Sequence, residues 1–347
     1  MTEKATLRKK PRWQPTIRSS LVSLTLLGRL LFVIGLLIAA LGVTSGQAHA
    51  QFLGHNALGD FGLQSGTQPD PGLYLAFMYL RYDSDTLRNR DGDRVTLDPD
   101  NPSSIGVNAY AAGIWNVTNF KILGANYGFM VFPAFTDNKL EAPILGQVNE
   151  TDVGFTDLYI QPINLGWHTE RADFLAGLGV YAPTGRYDPD ASDNLGMGMW
   201  SFELFAGTTI YFDKAKSWHL ATTAYYETHT RKEDTDIKVG DILTLEGGFG
   251  KSFMGGLLNV GVSYYAQWKL TDDDLGQDIE ALLGGRTLGK HRGFGVGPEV
   301  TFPIATKSKL FGLVTARYFW ETGVRSNLEG NTFVINFTFP IPSVPLK

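Results

Sequence analysis

Hydrophobic and polar side chains alternate with a period of two along most of this chain. The clearest example, residues 199–230, consists of two long alternating runs joined by a polar turn at 213–217. Successive side chains of a strand point to opposite faces, so each run has one apolar face and one mixed face. The runs exceed the ~5–6 residues usual in soluble proteins and match the ~9–11 that a tilted membrane-spanning strand needs. We therefore predict a hairpin of a transmembrane β-barrel.

The apolar face of this hairpin ends in aromatic residues, as in the interfacial girdles of membrane barrels. These residues are Trp200, Phe212 and Trp218. The same alternation continues through the chain and predicts twelve strands, enough to close a barrel. The predicted strands are 72–82, 104–115, 120–135, 153–167, 173–182, 198–212, 218–230, 241–253, 257–270, 293–303, 310–321 and 331–340.

The connections between the predicted strands alternate in length. Those after even-numbered strands are short, and most of the others are longer. The short ones are 116–119, 168–172, 213–217, 254–256 and 304–309. Outer-membrane barrels have short periplasmic turns and long extracellular loops, whereas a soluble β-sandwich has no reason to segregate them. The predicted fold is therefore all-β: a closed, antiparallel, up-and-down transmembrane β-barrel of about 12 strands over residues 72–340, of the outer-membrane type.

Residues 1–50 have the composition of a secretory signal peptide. A basic start is followed by an apolar run at 30–41 and by Ala48-His49-Ala50, an A-x-A cleavage site. The apolar run is too short for the ~20 residues of a membrane-spanning helix. We expect cleavage after Ala50 and export to the bacterial outer membrane. Residues 51–71, rich in Gly, Pro and Asn, are predicted to be a periplasmic lead-in or a segment in the barrel mouth, and 341–347 a short C-terminal tail.

Charge and cysteine content narrow the possible partners. Residues 1–50 hold seven of the 30 Lys and Arg and one of the 35 Asp and Glu, which leaves 23 basic and 34 acidic residues. Such a surface does not favour nucleic acid, and a chain without cysteine has no disulfide framework. The acidic long loops are either solvated or bridged by divalent cations to lipopolysaccharide phosphates. The expected partners are outer-membrane lipids and lipopolysaccharide, the barrel-assembly machinery and a small apolar or aromatic solute.

Parity places several ionised side chains in the middle of strands. An ionised group that faces lipid near the midplane costs roughly 2–4 kcal/mol, so these groups are expected to face the lumen. The candidate constriction consists of Glu203, Glu246, Glu299 and Arg317. Two interpretations remain open: a polar constriction that orients or filters a solute, and a structural charge network that fills a narrow lumen.

Aromatic side chains share the same predicted inner faces. They are Phe205, Tyr211, Tyr225, Tyr265 and Phe319. These rings either form an amphipathic wall for an aromatic or otherwise apolar solute, or they fill the barrel. Both roles are compatible with the pattern.

Catalytic and metal-binding patterns are weak in this chain. His219 and His229 are predicted to face inward near opposite ends of one strand, too far apart to share a metal. No histidine and serine form a pattern that resembles an outer-membrane phospholipase. The glycine-rich stretch 293–297 is followed by a strand pattern and not by the helix that a nucleotide loop requires. We therefore expect no catalytic residue, no metal site, no cofactor and no enzymatic activity.

Several segments, in this order, resemble the outer-membrane protein family named for the meta-pathway of phenol degradation. They are 154–162 (GFTDLYIQP), 165–167 (LGW), 180–187 (VYAPTGRY), 261–265 (GVSYY) and 295–300 (GVGPEV). The resemblance covers about 72–340 and implies uptake or efflux of hydrophobic or aromatic compounds. The chain departs from the family pattern at Asp157, which does not directly follow Gly154, and at its C-terminus, which extends beyond Phe339.

Three functional hypotheses follow. The first is a passive, porin-like outer-membrane channel for small hydrophobic or phenol-like compounds, favoured by the aromatic and carboxylate side chains of the inner face. The second is a plugged structural or adhesive barrel whose acidic loops act at the cell surface. The third is an outer-membrane lipid hydrolase.

Overall fold

The computed structural model describes residues 53–96, 103–142, 147–189, 191, 193–277, 289–342 and 344–345. The predicted signal peptide at 1–50 lies outside these residues. The described chain is built mostly from long strands. Within it, no helix is long and apolar enough to cross a bilayer.

The strands belong to one antiparallel sheet. In chain order they are β1 Gly72–Arg88, β2 Arg94–Val95, β3 Ser104–Ile122, β4 Ala125–Phe132, β5 Ala134–Ala142, β6 Gln147–Glu150, β7 Gly154–Phe155, β8 Leu158–His168, β9 Ala172–Ala182, β10 Ser201–Tyr211, β11 Trp218–His229, β12 Ile242–Phe253, β13 Leu258–Lys269, β14 Arg292–Ala305, β15 Lys309–Arg325, β16 Asn327–Ile341 and β17 Val344–Pro345. A single turn of 3-10 helix, Met254–Gly256, joins β12 to β13.

The sheet closes on itself because β1 pairs with β16 on one side and with β3 on the other. Pro133 divides one barrel strand into β4 and β5, which pair with β8 and β7 respectively. Strands β9 to β16 then follow in sequence order around the ring. Counting β4 with β5 and β7 with β8, the barrel has 12 strands. The predicted closed antiparallel barrel is confirmed.

Burial alternates along the strands as the sequence pattern predicts. On β10, Glu203 and Phe205 are 2% and 1% exposed, whereas Phe202 and Leu204 are 47% and 58% exposed. Apolar side chains on the outer face and polar ones inside are the arrangement that a bilayer requires. This face assignment is the basis for the candidate lumen.

One predicted turn is wrong. The polar stretch 116–119 lies inside β3, whose pairing with β4 shifts register between Val117 and Lys121 and then continues to Ile122. The turn is formed by Leu123 and Gly124, both at positive φ (51° and 83°). Trp167 of β8 donates from Nε1 to the Leu123 carbonyl at 3.0 Å, which fixes the turn against the neighbouring strand.

The barrel wall extends further at the opposite end than the alternation predicts. The predicted loop 136–152 contains the rest of β5 and β6, which pair with each other. The predicted loop 322–330 is reduced to Ser326, at φ 48°, between β15 and β16. Polar residues continue these strands because the ladder satisfies their backbone groups above the apolar band. The predicted tail 341–347 also holds β17, which pairs with β15.

The barrel therefore has two different ends. The turns at 123–124, 169–171, 212–217, 254–257 and 306–308 form the short-turn rim. The described loop residues 183–189, 191, 193–200, 230–241, 270–277 and 289–291 belong to the long-loop rim. Residues 53–68, here called the luminal segment, run between the two. His55 contacts Ser201 and Glu227 near the long-loop rim, and Gln68 contacts Asn164 near the short-turn rim.

The prediction for residues 51–71 is thus wrong in its described part. The luminal segment is neither a periplasmic lead-in nor a segment confined to the mouth, because it passes through the whole barrel before β1 begins at Gly72. Its Leu63 is 1% exposed. A chain of small and polar residues can fill this narrow space because the wall supplies hydrogen-bond partners along its length.

Candidate functional site: the barrel lumen

The four charged residues of the candidate constriction all contact the luminal segment. Glu203 accepts hydrogen bonds from Asn56 Nδ2 at 3.1 Å and from the Tyr159 hydroxyl at 2.8 Å. Its side chain is buried. Glu203 therefore binds the part of the segment that lies toward the long-loop rim.

Glu246 binds the main chain of the segment. Its Oε1 accepts the Gly59 N–H at 2.8 Å, and its Oε2 accepts the Phe61 N–H at 3.1 Å. One buried side chain thus satisfies two backbone N–H groups that would otherwise be unpaired inside the barrel. Glu246 is therefore an anchor for the centre of the segment.

Glu299 and Arg317 form a buried ion pair that also holds the segment. Arg317 Nε donates to Glu299 Oε2 at 2.8 Å. The same oxygen accepts the Leu63 N–H at 3.0 Å and the Ser263 hydroxyl. Arg317 Nη1 donates to the Asp60 carbonyl at 2.9 Å. The pair thus presents an acceptor and a donor to one stretch of main chain.

The predicted aromatic residues form two clusters around the segment. Tyr265 and Phe319 lie 5.1 Å apart between ring centroids and pack near Leu58. Phe205 and Tyr225, 5.9 Å apart, pack against Phe61 of the segment. Tyr211 lies apart near the short-turn rim, where its hydroxyl donates to Asp173 at 2.6 Å.

Leu63 is accommodated by a smooth, glycine-lined wall. A Cβ built on Gly248, Gly250 or Gly261 would lie 2.8, 2.9 or 2.7 Å from a Leu63 methyl carbon. Contacts that short require something to move, so glycine at these wall positions allows the segment to approach closely. Each larger residue here would push Leu63 out of the wall.

Sequence reasoning missed the residues that hold the two ends of the segment. At the long-loop rim, His55 Nε2 lies 2.8 Å from Asp157 Oδ2, and the ring stacks on Tyr181 at 4.8 Å. At the short-turn rim, Gln68 Nε2 donates to the Asn164 side chain at 2.7 Å. Neither contact has a local sequence signal, because the partners are about 100 residues apart.

The two rims differ in their electrostatics. Among the loops at the long-loop rim, burial lowers the pKa of Lys232 to about 8, and its ammonium donates to the Met197 carbonyl at 2.9 Å. At the short-turn rim, a cavity of about 750 Å³ is lined by Gln64 together with basic residues that include Arg171 and Lys214. The lining of this cavity is therefore polar and mostly basic.

All nine predicted lumen residues are therefore buried in the barrel and lie around the segment, including Tyr211, whose hydroxyl is 3.5 Å from Thr67 Oγ1. The four charged residues do not form one ring around an aqueous opening. They are distributed along the barrel, each on a different part of the segment or its neighbours. This arrangement supports the interpretation as a charge network that fills the lumen.

Comparison with known proteins adds a family and a fold. The family model described as "Putative MetA-pathway of phenol degradation" matches residues 84–337. An outer membrane channel from Pseudomonas putida F1 aligns with a TM-score of 0.66 at 11% identity, over 82% of this chain and 99% of that one. The CymD monoaromatic hydrocarbon channel aligns with a TM-score of 0.39 at 10% identity, over 86% and 98%. The first likeness establishes the fold alone, and the second is too distant to support an argument. Among curated protein sequences, none matches this chain.

Proposed function

This chain belongs to the family of the MetA-pathway of phenol degradation, and from that premise we propose that it is a passive outer-membrane channel for small apolar or aromatic compounds such as phenol. The luminal segment is its gate. The solute passes when the segment leaves its place along the wall, and no cofactor takes part. Outer-membrane lipid and lipopolysaccharide surround the apolar outer face, and the barrel-assembly machinery inserts the chain.

The observation that supports a gate is the way in which the segment is held. Its described contacts with the wall are hydrogen bonds and packing, and the chain has no cysteine that could link it covalently. Main-chain N–H groups of Gly59, Phe61 and Leu63 bind wall carboxylates, and water can replace each of these partners. The segment can therefore detach and rebind without breaking any covalent bond or barrel ladder.

The wall behind the segment suits an aromatic solute. The rings of Phe205, Tyr225, Tyr265 and Phe319 lie in the lumen beside carboxylates. Aromatic rings offer stacking and edge contacts to a phenol ring, and a carboxylate accepts a hydrogen bond from its hydroxyl group. Displacement of the segment exposes both kinds of group on one surface.

The second candidate is a permanently plugged barrel with a structural or adhesive role. The satisfied hydrogen bonds of Glu246 and Glu299 support it, because they leave no acceptor unpaired that would favour release. The lipid hydrolase is not favoured. His219 Nδ1 and Ser252 Oγ lie 3.4 Å apart but are buried on the inner face, away from the lipid that such an enzyme must reach.

The test is the entry of labelled phenol into proteoliposomes that contain the purified protein, compared with vesicles that lack it. A channel accelerates entry, whereas a plugged barrel leaves it at the rate of protein-free vesicles. Planar-bilayer conductance separates the two further. A gate opens in the wild type, whereas a plug keeps the wild type silent and opens only when Arg317→Ala removes a contact with the segment. Arg325→Ala, on the exposed end of the same strand, is the matched control.

A further inference from the structure

A cluster of metal-ligating side chains joins the luminal segment to the wall near the long-loop rim. His55 belongs to the segment, and Glu227 and His229 belong to β11. All three side chains are at most 5% exposed. The clustering is independent of the transport proposal.

The ligand atoms of these residues are spaced for one ion. Glu227 Oε1 lies 3.7 Å from His55 Nδ1 and 3.6 Å from His229 Nδ1, and one ligand atom from each residue lies within 4.8 Å of the others. In a tetrahedral zinc site with bonds of roughly 2.1 Å, ligand atoms are about 3.4 Å apart. Small rotations of these side chains bring all three ligands onto one ion.

Neighbouring groups orient the ligands as in metal sites. His55 Nε2 donates to Asp157 Oδ2 at 2.8 Å, which keeps the proton on Nε2 and turns Nδ1 toward Glu227. Asp157 is itself fixed by the Met197 N–H at 2.7 Å. Ser201 Oγ lies 2.7 Å from the Nδ1 atoms of both histidines, so the two nitrogens face a common point. The Glu227 carboxylate is held by the His55 N–H at 2.7 Å.

We propose that His55, Glu227 and His229 bind a transition-metal dication of the zinc class, with the Ser201 hydroxyl or a water molecule as the fourth ligand. Two imidazole nitrogens and one carboxylate suit such an ion, whereas calcium and magnesium prefer oxygen ligands. Because one ligand is on the luminal segment and two are on the wall, the ion clamps the segment in the barrel. The site escapes sequence reasoning because His55 lies 172 residues from Glu227.

The test uses the full mature chain without a polyhistidine tag, stripped with chelator and titrated with Co²⁺. The expected result is the intense visible absorption of tetrahedral Co²⁺ at one equivalent, displaced by Zn²⁺. His229→Asn and Glu227→Gln lose this absorption. His219→Asn keeps it, because His219 lies at the other end of the same strand. Heat-modifiable migration on gels verifies that each variant is folded.

Two results overturn the proposal. One is a wild-type protein that shows no tetrahedral Co²⁺ bands and retains no zinc by elemental mass spectrometry after dialysis. The other is folded His229→Asn and Glu227→Gln variants that both bind Co²⁺ like the wild type. If the variants do not fold, hydrogen exchange of the wild type decides: Zn²⁺ slows exchange of the His55 and Asn56 amides, and unchanged exchange contradicts the clamp.

Discussion

Arg317 and Glu299 face each other across β14 and β15, with Arg317 Nε 2.8 Å from Glu299 Oε2. The pair also binds the luminal segment on both sides of Gly62: Glu299 Oε2 accepts the Leu63 N–H, and Arg317 Nη1 donates to the Asp60 carbonyl. A single ion pair of the wall thus fixes a donor and an acceptor of the segment. Substitutions in this pair therefore test the proposed gate.

Arg317→Ala should destabilise the protein and open the lumen. Removal of one partner leaves the Glu299 carboxylate buried and uncompensated, which costs about 3–5 kcal/mol of unfolding free energy. Urea unfolding in lipid vesicles measures that loss, and planar-bilayer recordings measure the expected gain in conductance. Glu299→Gln combined with Arg317→Met removes both charges and should recover most of the stability. An unchanged unfolding free energy in Arg317→Ala would show that the pair does not hold the segment.

Glu246→Gln should loosen the centre of the segment. The Gly59 and Phe61 N–H groups bind different oxygens of Glu246, and in glutamine an NH2 donor replaces one of these oxygens, so one N–H group loses its acceptor. A buried N–H group left without a partner costs about 1–3 kcal/mol, which speeds local exchange on the order of 5- to 100-fold. Hydrogen exchange of these two amides measures the effect. Glu321→Gln is the control, since Glu321 accepts hydrogen bonds from Tyr82, Tyr265 and Gly330 of the wall; equal acceleration in both variants contradicts the prediction.

Leu204→Arg should be far more costly than Phe212→Arg. Both side chains are on the outer face, 58% and 56% exposed, but Leu204 lies near the middle of β10 and Phe212 follows its end. The cost of a lipid-facing arginine is roughly 2–4 kcal/mol at the midplane and roughly 0–1 kcal/mol near the interface. Reversible unfolding from bilayers gives both values. Equal costs would mean that this strand does not cross the bilayer as proposed.

Asp213, at the short-turn rim, should make the stability of the folded protein depend on pH. Hydrogen bonds from the Trp218 and Ser217 N–H groups lower its pKa from 3.8 to about 2. The folded pKa is below the unfolded one, so the contribution to stability is present above about pH 4 and is lost as the pH falls through about 2. The difference in thermal midpoint between wild type and Asp213→Asn should therefore narrow from pH 5 to pH 2. Asp234→Asn, an exposed carboxylate at the opposite rim, controls for net charge; a constant difference rejects the assignment.

The barrel could be predicted because the polarity of each wall side chain indicates whether it faces the lumen or lipid. A side chain such as Glu203 or Leu204 faces either the lumen or lipid, and the period of two separates these faces without knowledge of the partner strand. The same rule located all nine buried lumen residues. It failed at 116–119, because a polar stretch outside the bilayer is compatible with a turn and with a continued strand.

The luminal segment could not be predicted from its own pattern. It binds the wall mainly through main-chain N–H groups, which every residue except proline has. These contacts therefore place little constraint on which residues occur in the segment. The wall did hold a signal. Within the predicted constriction, three glutamates, Glu203, Glu246 and Glu299, are accompanied by one cation, Arg317, so the buried carboxylates needed further donors. The segment's amides are those donors.

The measurement that tests the gate most directly is a reversible covalent lock. A Cβ on Gly250 would lie 2.9 and 3.0 Å from the two Leu63 methyl carbons, so the two positions are in contact, and Leu63→Cys with Gly250→Cys introduces one cysteine at each in a chain that has no other. Phenol entry into proteoliposomes is measured for the oxidised and the reduced form of this one protein, with the cross-link verified by mass spectrometry. We predict that oxidation lowers entry to the level of protein-free vesicles and that reduction restores it. Equal entry through the locked and unlocked forms would contradict a gate formed by the luminal segment.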